Sequence, residues 1–354
     1  MMTTQMIANR YEHVGSLNER GGMGEVDIFT DLHLRRDVVI KRLQAGVEEK
    51  RLLDEQKSLA KLRSKHVVQL YDIVAIGDMP EAEAALVLEY IDGKPIEVNS
   101  YHVGEELLRC LWQISCGLAE IHAAKIIHRD IKPQNLKVDS EGVVKILDFG
   151  LARGDDEAVT RSIIGTPVYM APELWGEQTI SFDASIDAYA FAITSLALVT
   201  DNPPRELCVS PPLTISYETF RGYLDKFHEE IVNILFQCLS HNPSARPSMR
   251  AVSDTLKKHL LFNKHKATVV LDGSVHVLNE QNRKTRLSAN VGMLEIEYDG
   301  LNFKVKSANG HVLINNKQVT AGDIVPGCSV IAFGRPDKVR KFVTFDVSNP
   351  EVMP

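Results

Sequence analysis

The period of the apolar pattern changes twice along the chain, and this feature constrains the fold more than any other. Residues 11–90 carry short runs typical of β-strands, interrupted by one amphipathic stretch at residues 47–62. Apolar residues then recur at helical spacing over residues 105–261. Strand-like runs separated by Asp-Gly, Asn-Gly and Pro-Gly turns return in residues 268–348. The pattern predicts an α+β protein with a β-rich lobe, a helical lobe and a small all-β domain.

The length of the chain indicates its number of domains, and its charge argues against some classes of binding partner. The 354 residues predict about two domains, and a net charge of −7 gives no global field that would attract nucleic acid or an anionic membrane. The longest apolar run, residues 188–200, is shorter than the roughly 20 residues of a membrane span and predicts a buried helix. The five cysteines form no CxxC pair, and the first residues lack a secretory signal pattern. We therefore expect a cytoplasmic protein with neither nucleic acid nor membrane as a partner, and the oligomeric state stays open.

Two polar loops in the helical region carry the residues suited to chemistry. Residues 128–135 read His-Arg-Asp-Ile-Lys-Pro-Gln-Asn, and residues 148–150 read Asp-Phe-Gly directly after the apolar strand at residues 143–147. Phosphoryl transfer requires a carboxylate to take the acceptor proton, an amide and a second carboxylate to hold Mg²⁺, and a lysine to neutralise phosphate. The two loops together supply all of these groups.

This pair of motifs resembles the catalytic and metal loops of the eukaryotic-type (Hanks-type) serine/threonine protein kinases of bacteria and phages. The resemblance implies that Asp130 is the catalytic base and that Lys132 steadies the transferred phosphoryl group. It also implies that Asn135 and Asp148 hold Mg²⁺, with Mn²⁺ as an alternative. A bilobal kinase fold over residues 11–261 is then expected, transferring the γ-phosphoryl group of ATP to Ser and Thr hydroxyls of protein substrates.

Upstream motifs imply a nucleotide pocket. Residues 38–41 read Val-Val-Ile-Lys and resemble the strand whose lysine, Lys41, contacts the α and β phosphates. Glu55, on the following helix, is implied to form an ion pair with Lys41. The family's glycine-rich loop GxGxxGxV is matched except at its first glycine, where this chain has Glu19. The residues implied to cover the phosphates are Gly21, Gly22, Met23, Gly24 and Val26.

Residues 86–91 resemble the hinge between the two kinase lobes, and we call them the hinge segment. The resemblance implies that Leu88 gates the pocket behind the adenine ring. It also implies that the backbone from Glu89 to Ile91 pairs with the ring, between apolar walls that suit a flat base.

The end of the activation segment is implied by residues 165–173, which read Gly-Thr-Pro-Val-Tyr-Met-Ala-Pro-Glu. Thr166 stands at the position that contacts the catalytic loop in serine/threonine kinases. Thr160 and Ser162 are candidate autophosphorylation sites, and a phosphate on either residue would dock on Arg129.

Two scaffold contacts are also implied by the resemblance. Glu173 is expected to pair with Arg246 far along the chain. Asp187, on the predicted buried helix, is expected to brace the catalytic loop.

The last region, residues 268–348, follows an expected linker at residues 262–267. Its second half, which includes Asn309-Gly310, resembles a forkhead-associated domain, a β-sandwich that binds phosphothreonine. Where that family has Ser-Arg-x-His, residues 288–291 read Ser-Ala-Asn-Val and lack the arginine that a phosphate reader needs. We therefore favour a structural or partner-docking sandwich. Phosphopeptide binding is the alternative, with three nearby residues as substitute cations: Arg283, Lys284 and Arg286.

Two other functions stay open from the sequence. A pseudokinase that binds nucleotide or a partner without catalysis is favoured by Glu19 alone, and it leaves the intact catalytic and metal positions unexplained. A tyrosine or dual-specificity kinase shares the same fold, so only the chemistry of the phosphorylated product separates it from a Ser/Thr kinase.

Overall fold

The computed structural model describes nine stretches of the chain. They are residues 6–16, 24–43, 49–77, 83–150, 152–154, 159–160, 167–176, 180–181 and 183–348. The chain divides into two compact units between Leu256 and Lys257. This division falls within the helix Met249–Leu260, ahead of the linker expected at residues 262–267.

The first unit opens with a six-stranded antiparallel sheet. Its strands are β1 (Met6–Ile7), β2 (Tyr11–Ser16), β3 (Gly24–Asp31), β4 (Arg36–Leu43), β5 (Leu70–Ile76) and β6 (Glu83–Glu89). They are ordered β1-β2-β3-β4-β6-β5, and helix α1 (Glu49–Lys61) connects β4 to β5. One face is closed by buried apolar residues that alternate along the strands, including Phe29, Val38, Ile40 and Val87. This sheet is the predicted β-rich lobe.

The helical region of the first unit surrounds helix α3 (Ser185–Ala197), in which every residue from Ile186 to Ala197 is buried. This confirms the buried helix predicted from the apolar run. The other helices are α2 (Glu105–Ala123), α4 (Arg205–Cys208), α5 (Tyr217–Tyr223), α6 (Glu229–Cys238) and α7 (Met249–Leu260). Among the described residues, no helix combines the length and the apolar character that crossing a bilayer would require.

Short strands position the two polar loops. They are β7 (Gly93–Pro95), β8 (Ile126–Ile127), β9 (Leu136–Asp139), β10 (Val144–Ile146), β11 (Arg153–Gly154), β12 (Val159–Thr160) and β13 (Ile180–Ser181). Strands β10, β9 and β7 form a three-stranded sheet, and β8 pairs with β11. The His-Arg-Asp loop follows β8, and the Asp-Phe-Gly loop follows β10. Leu147 donates its backbone N–H to the Asn135 carbonyl at 2.8 Å, which joins the two loops.

The second unit is a sandwich of two antiparallel sheets. Its strands are β14 (Lys266–Leu271), β15 (Ser274–Leu278), β16 (Lys284–Ala289), β17 (Gly292–Tyr298), β18 (Phe303–Gly310), β19 (Val312–Ile314), β20 (Lys317–Gln318), β21 (Cys328–Phe333) and β22 (Lys341–Ser348). One sheet has the order β15-β14-β22-β21-β19-β20 and the other β16-β17-β18. Their inner faces share one core, with Phe333 and Phe345 fully buried. The predicted α+β class and the order of its β-rich, helical and all-β regions are therefore confirmed.

One glycine in the sandwich is required by geometry. Gly310 has φ of +80°, and a Cβ there would lie 2.8 Å from the carbonyl oxygen of Val291. A side chain at this position would therefore be strained and would push the turn between β16 and β17 away.

Candidate active site

Lys41 joins three segments that are distant in sequence. Its ammonium donates to both carboxylate oxygens of Glu55, each at 2.9 Å, and to Oδ1 of Asp148 at 2.8 Å. Lys41 lies on β4, and Glu55 lies on the buried face of α1 together with Leu59. Because Glu55 precedes Leu59 by one helical turn, the periodicity that buries the leucine also turns the carboxylate inward.

The charges in this cluster stabilise one another. Burial disfavours the Lys41 ammonium, but the carboxylates of Glu55 and Asp148 outweigh this effect and raise the pKa of Lys41 above its ordinary value. Burial likewise favours the neutral acid of Asp148, but the Lys41 charge and hydrogen bonds from Lys41 and Gly150 outweigh it and lower its pKa. At neutral pH the cluster therefore holds a cation beside an ionised carboxylate.

The second cluster lies in the His-Arg-Asp loop. Lys132 donates to Oδ2 of Asp130 at 2.7 Å, and the side-chain amide of Asn135 donates to the same oxygen at 2.9 Å and to the Asp130 carbonyl at 2.7 Å. Asp130 is buried, with 6% of its surface exposed. The structure therefore brings these three predicted residues together around one carboxylate whose position is fixed by hydrogen bonds.

The oxygens needed for a divalent metal ion are available. The Asn135 amide nitrogen is committed to Asp130, so its Oδ1 faces away from that carboxylate, and Asp148 uses Oδ1 for Lys41 and Gly150. Within the described part of the chain, neither Asn135 Oδ1 nor Asp148 Oδ2 accepts a hydrogen bond. An amide oxygen and a carboxylate oxygen match the ligand preference of Mg²⁺. The residues present therefore fit the implied metal.

Asp187 on α3 organises the catalytic loop. Its Oδ2 accepts the backbone N–H of His128 and a hydrogen bond from His122 Nε2, both at 2.8 Å, and its Oδ1 accepts the N–H of Arg129 at 2.8 Å. Arg129 has φ of 71°, a left-handed conformation that costs about 1–3 kcal/mol in a non-glycine residue and that this hydrogen bond helps to hold. Burial favours the neutral acid, but the hydrogen bond and charge of His122 lower the pKa of Asp187.

A second scaffold contact ties the end of the activation segment to the helical region. Arg246 donates to both carboxylate oxygens of Glu173, at 2.6 and 2.7 Å, and to the carbonyls of Ser240 and Ser185. The guanidinium is fully buried, and the bidentate hydrogen bonds to Glu173 stabilise its charge there. The structure thus brings Glu173 and Arg246 together as the sequence predicted.

The predicted nucleotide pocket is described in part. Val26 on β3 lies directly opposite Lys41, and Leu88 on β6 lies opposite Val39 of β4. Leu88 and Ile91 are buried, and Glu89 ends β6. The described strands therefore place the hinge segment beside the strand that carries Lys41.

Several predicted residues lie outside the described residues. They are Glu19, Gly21, Gly22, Met23, Ser162 and Thr166. Gly24 is described as the first residue of β3, and the backbone of Thr160 pairs with Ile180 between β12 and β13. The glycine-rich loop and the candidate phosphorylation sites therefore stay predictions.

Two residues of the site were missed by sequence reasoning. His122 contacts Asp187, and Lys145 donates to Glu89 of the hinge segment at 2.7 Å. The only sequence signal for His122 was its place next to buried Ile121 near the end of α2. The sequence offered no signal for Lys145, because a lysine in a short strand is usually exposed.

Comparisons with known proteins identify the family of this chain and several relatives. A family model described as protein kinase domain matches residues 11–259. The serine/threonine-protein kinase PknB of Mycolicibacterium smegmatis is 30% identical over 236 residues, which cover 62% of this chain and 37% of that protein. The probable serine/threonine-protein kinase pknA2 of Bifidobacterium longum is 31% identical over 255 residues, covering 68% of this chain and 32% of that protein. The chain spans about a third of the length of these relatives.

The brace by Asp187 predicts a local loss of stability in Asp187→Asn. The amide nitrogen of asparagine would face a backbone N–H, so we expect the free energy of opening at His128 and Arg129 to fall by about 2 kcal/mol, or roughly 30-fold in hydrogen exchange at neutral pH. The lowered pKa of Asp187 means that its stabilisation is complete above the unfolded pKa of about 3.9 and is lost as pH falls through the lower folded pKa.

Hydrogen exchange at the backbone amides of the catalytic loop measures this prediction. The difference between wild type and Asp187→Asn should have its full size at about pH 5 and should shrink below about pH 4. Asp183→Asn is the matched control, because Asp183 is an exposed carboxylate that accepts the N–H of Ser185 at the start of α3. Equal effects of the two substitutions on the catalytic loop would contradict the brace.

Proposed function

The chain belongs to the protein kinase family, and from this premise we propose that it is a serine/threonine protein kinase that phosphorylates proteins with ATP and Mg²⁺. The observation that carries the proposal is that the cluster around Lys41 and the cluster around Asp130 are both complete. Lys41 is bonded to Glu55 and Asp148 within 2.9 Å, and Asp130 is bonded to Lys132 and Asn135 within 2.9 Å. A scaffold protein without catalysis would not need both.

In the proposed reaction the acceptor hydroxyl oxygen bonds to the γ-phosphorus of ATP while the bond to the β–γ bridging oxygen breaks and ADP leaves. Asp130 takes the hydroxyl proton, because its carboxylate is held in place by Lys132 and Asn135. Lys132 also balances the negative charge that spreads over the transferred phosphoryl oxygens. Lys41 contacts the α and β phosphates while Glu55 fixes its position.

We assign the metal to Asn135 Oδ1 and Asp148 Oδ2, the two oxygens left without a described hydrogen bond. When bound, Mg²⁺ would neutralise phosphate charge, and Mn²⁺ would serve the same purpose. The pocket for adenine is assigned to Val26, Leu88 and the hinge backbone from Glu89 to Ile91. Support comes from the register of β3, β4 and β6, in which Val26 lies opposite Lys41 and Leu88 lies opposite Val39.

The preference for Ser and Thr is supported by Lys132 in the catalytic loop and by relatives that are named serine/threonine-protein kinases. Thr166 is proposed to contact the catalytic loop, and Thr160 and Ser162 are proposed as autophosphorylation sites. Cytoplasmic localisation stays a prediction of the sequence.

For residues 268–348 we propose a forkhead-associated-like sandwich that binds a protein partner. Its support is the two-sheet order and an open cavity of about 440 Å³ at one end of the sandwich. Three basic side chains line this cavity, namely His311, Arg335 and Lys338, and none of them makes an ion pair within the described part of the chain. Such a cavity suits an acidic or phosphorylated side chain of the partner. The substitute cations expected from the sequence do not line it; Lys284, for example, pairs with Glu297.

The kinase proposal is tested by incubating the full chain with γ-labelled ATP, Mg²⁺ and a generic protein substrate. Loss of the proposed base in Asp130→Asn should lower phosphate incorporation by about 10²-fold or more. Asp225→Asn, which changes an exposed carboxylate, should match wild type. Acid hydrolysis of the product should release phosphoserine or phosphothreonine.

Three outcomes of this experiment would contradict the proposal in different ways. Equal incorporation by Asp130→Asn and wild type would remove Asp130 from the reaction. Nucleotide binding without any incorporation would favour the pseudokinase. Phosphotyrosine in the product would favour the tyrosine or dual-specificity alternative.

The partner proposal is tested with matched immobilised peptide libraries that contain phosphothreonine or threonine. We expect the full chain to be retained better by the phosphorylated library and to lose this preference in the double variant Arg335→Ala with Lys338→Ala. Lys284→Ala, which removes a lysine on the other sheet, is the control. Equal retention on both libraries would contradict recognition of phosphate and favour docking through another surface.

A further inference from the structure

A buried ion pair links the hinge segment to the strand that carries the proposed metal ligand. Lys145 Nζ donates to Glu89 Oε1 at 2.7 Å, and their side chains are only 9% and 19% exposed. Glu89 ends β6, and Lys145 lies in the middle of β10, three residues before Asp148. The two partners are 56 residues apart in sequence, so the pair joins separate elements.

The hinge end of this link is held by further contacts. Glu89 Oε2 accepts the backbone N–H of Gln69 at 3.1 Å, and the Glu89 N–H donates to the Gln69 carbonyl at 2.9 Å. The Gln69 side chain in turn donates to the carbonyls of Ser64 and Val67. The carboxylate of Glu89 is therefore fixed on both oxygens, and its backbone is fixed by the same neighbour.

The strand end is equally constrained. Ile146 donates to the His66 carbonyl at 2.8 Å and accepts from Val68 at 3.0 Å. Val144 donates to the side chain of Gln113 at 2.8 Å. Strand β10 therefore cannot shift without breaking buried hydrogen bonds, and a movement of its end would move Asp148 as well.

A neighbouring lysine makes the Glu89 charge important. Lys137 on β9 lies directly opposite Lys145, and both lysines are nearly buried, at 9% and 8% exposed. Like charges opposed across two strands repel each other. Lys137 makes no ion pair with any described residue, so removing the Glu89 charge would leave two buried cations facing each other.

We propose that Glu89 and Lys145 form a positioning pair that couples the adenine-binding hinge to the metal-binding Asp148. The inference rests on the proposed function, because it assumes that ATP contacts the hinge while its metal contacts Asp148. With the pair intact, the site for the adenine ring and the site for the metal are held at one fixed separation. Binding of ATP therefore favours binding of the metal, and binding of the metal favours binding of ATP. Without the pair, β10 and the end of β6 stay joined through the backbone of residues 66–69 but lose their direct side-chain link, so this advantage falls.

The coupling is measured as the factor by which Mg²⁺ tightens the binding of ATP to the full chain, obtained by calorimetric titration with and without the metal. Lys145→Met and Glu89→Gln should each lower this factor by roughly 5-fold or more, and the double variant should lower it no further, because both remove one interaction. Lys145→Arg, which retains the charge, should stay within about two-fold of wild type. Lys94→Met, on the exposed edge of the same small sheet, is the matched control.

The outcomes separate this inference from the proposed function and from a purely structural role. An unchanged factor in Lys145→Met, even with a lower melting temperature, would overturn the coupling. Additive losses in the double variant would also overturn it, because the residues would then act separately. A lowered factor in a chain that transfers no phosphate would support the coupling and contradict the kinase activity. Failure of wild type to bind ATP would overturn both.

Discussion

The site depends on the Lys41 ammonium, which lies between the carboxylates of Glu55 and Asp148. This one group holds β4, α1 and the Asp-Phe-Gly loop together, and each of these elements carries a different part of the proposed chemistry. An unpaired charge buried at this position would cost several kcal/mol, so the pairing favours the arrangement in which the three elements meet. The same requirement leaves a cation where phosphate is expected to bind, because Lys41 has to be charged to satisfy both carboxylates.

The catalytic loop, which carries Asp130, is positioned by a buried helix instead of by a shared cation. Helix α3 is buried along its length, and it presents one carboxylate, Asp187, to the backbone of the catalytic loop. Two charge-assisted hydrogen bonds stabilise the loop, and they offset the cost of the left-handed backbone conformation at Arg129. Asp130 then follows in a fixed orientation. A buried helix therefore determines where the proposed base lies, and the Lys145–Glu89 pair joins β10 to the hinge segment.

Local motifs predicted most of this arrangement. The His-Arg-Asp and Asp-Phe-Gly loops carry their chemistry within a few residues, and the change in apolar period located the three regions in the right order. The long-range contacts of His122 and Lys145 could not be predicted, because nothing near a histidine on a helix or a lysine in a short strand indicates a partner more than 50 residues away. The linker expected at residues 262–267 stays a prediction, and the division between the two units falls ahead of it, within the helix that ends at Leu260.

The central claim is that the two carboxylate clusters form a single site for ATP and its metal. A crystal structure of the full chain with Mg²⁺ and a non-hydrolysable ATP analogue tests it most directly. We expect the metal on Asn135 Oδ1 and Asp148 Oδ2, with Lys41 bonded to the α or β phosphate while it stays paired with Glu55. A nucleotide bound elsewhere, or a metal held by other residues with the Lys41–Glu55 pair broken, would contradict the account.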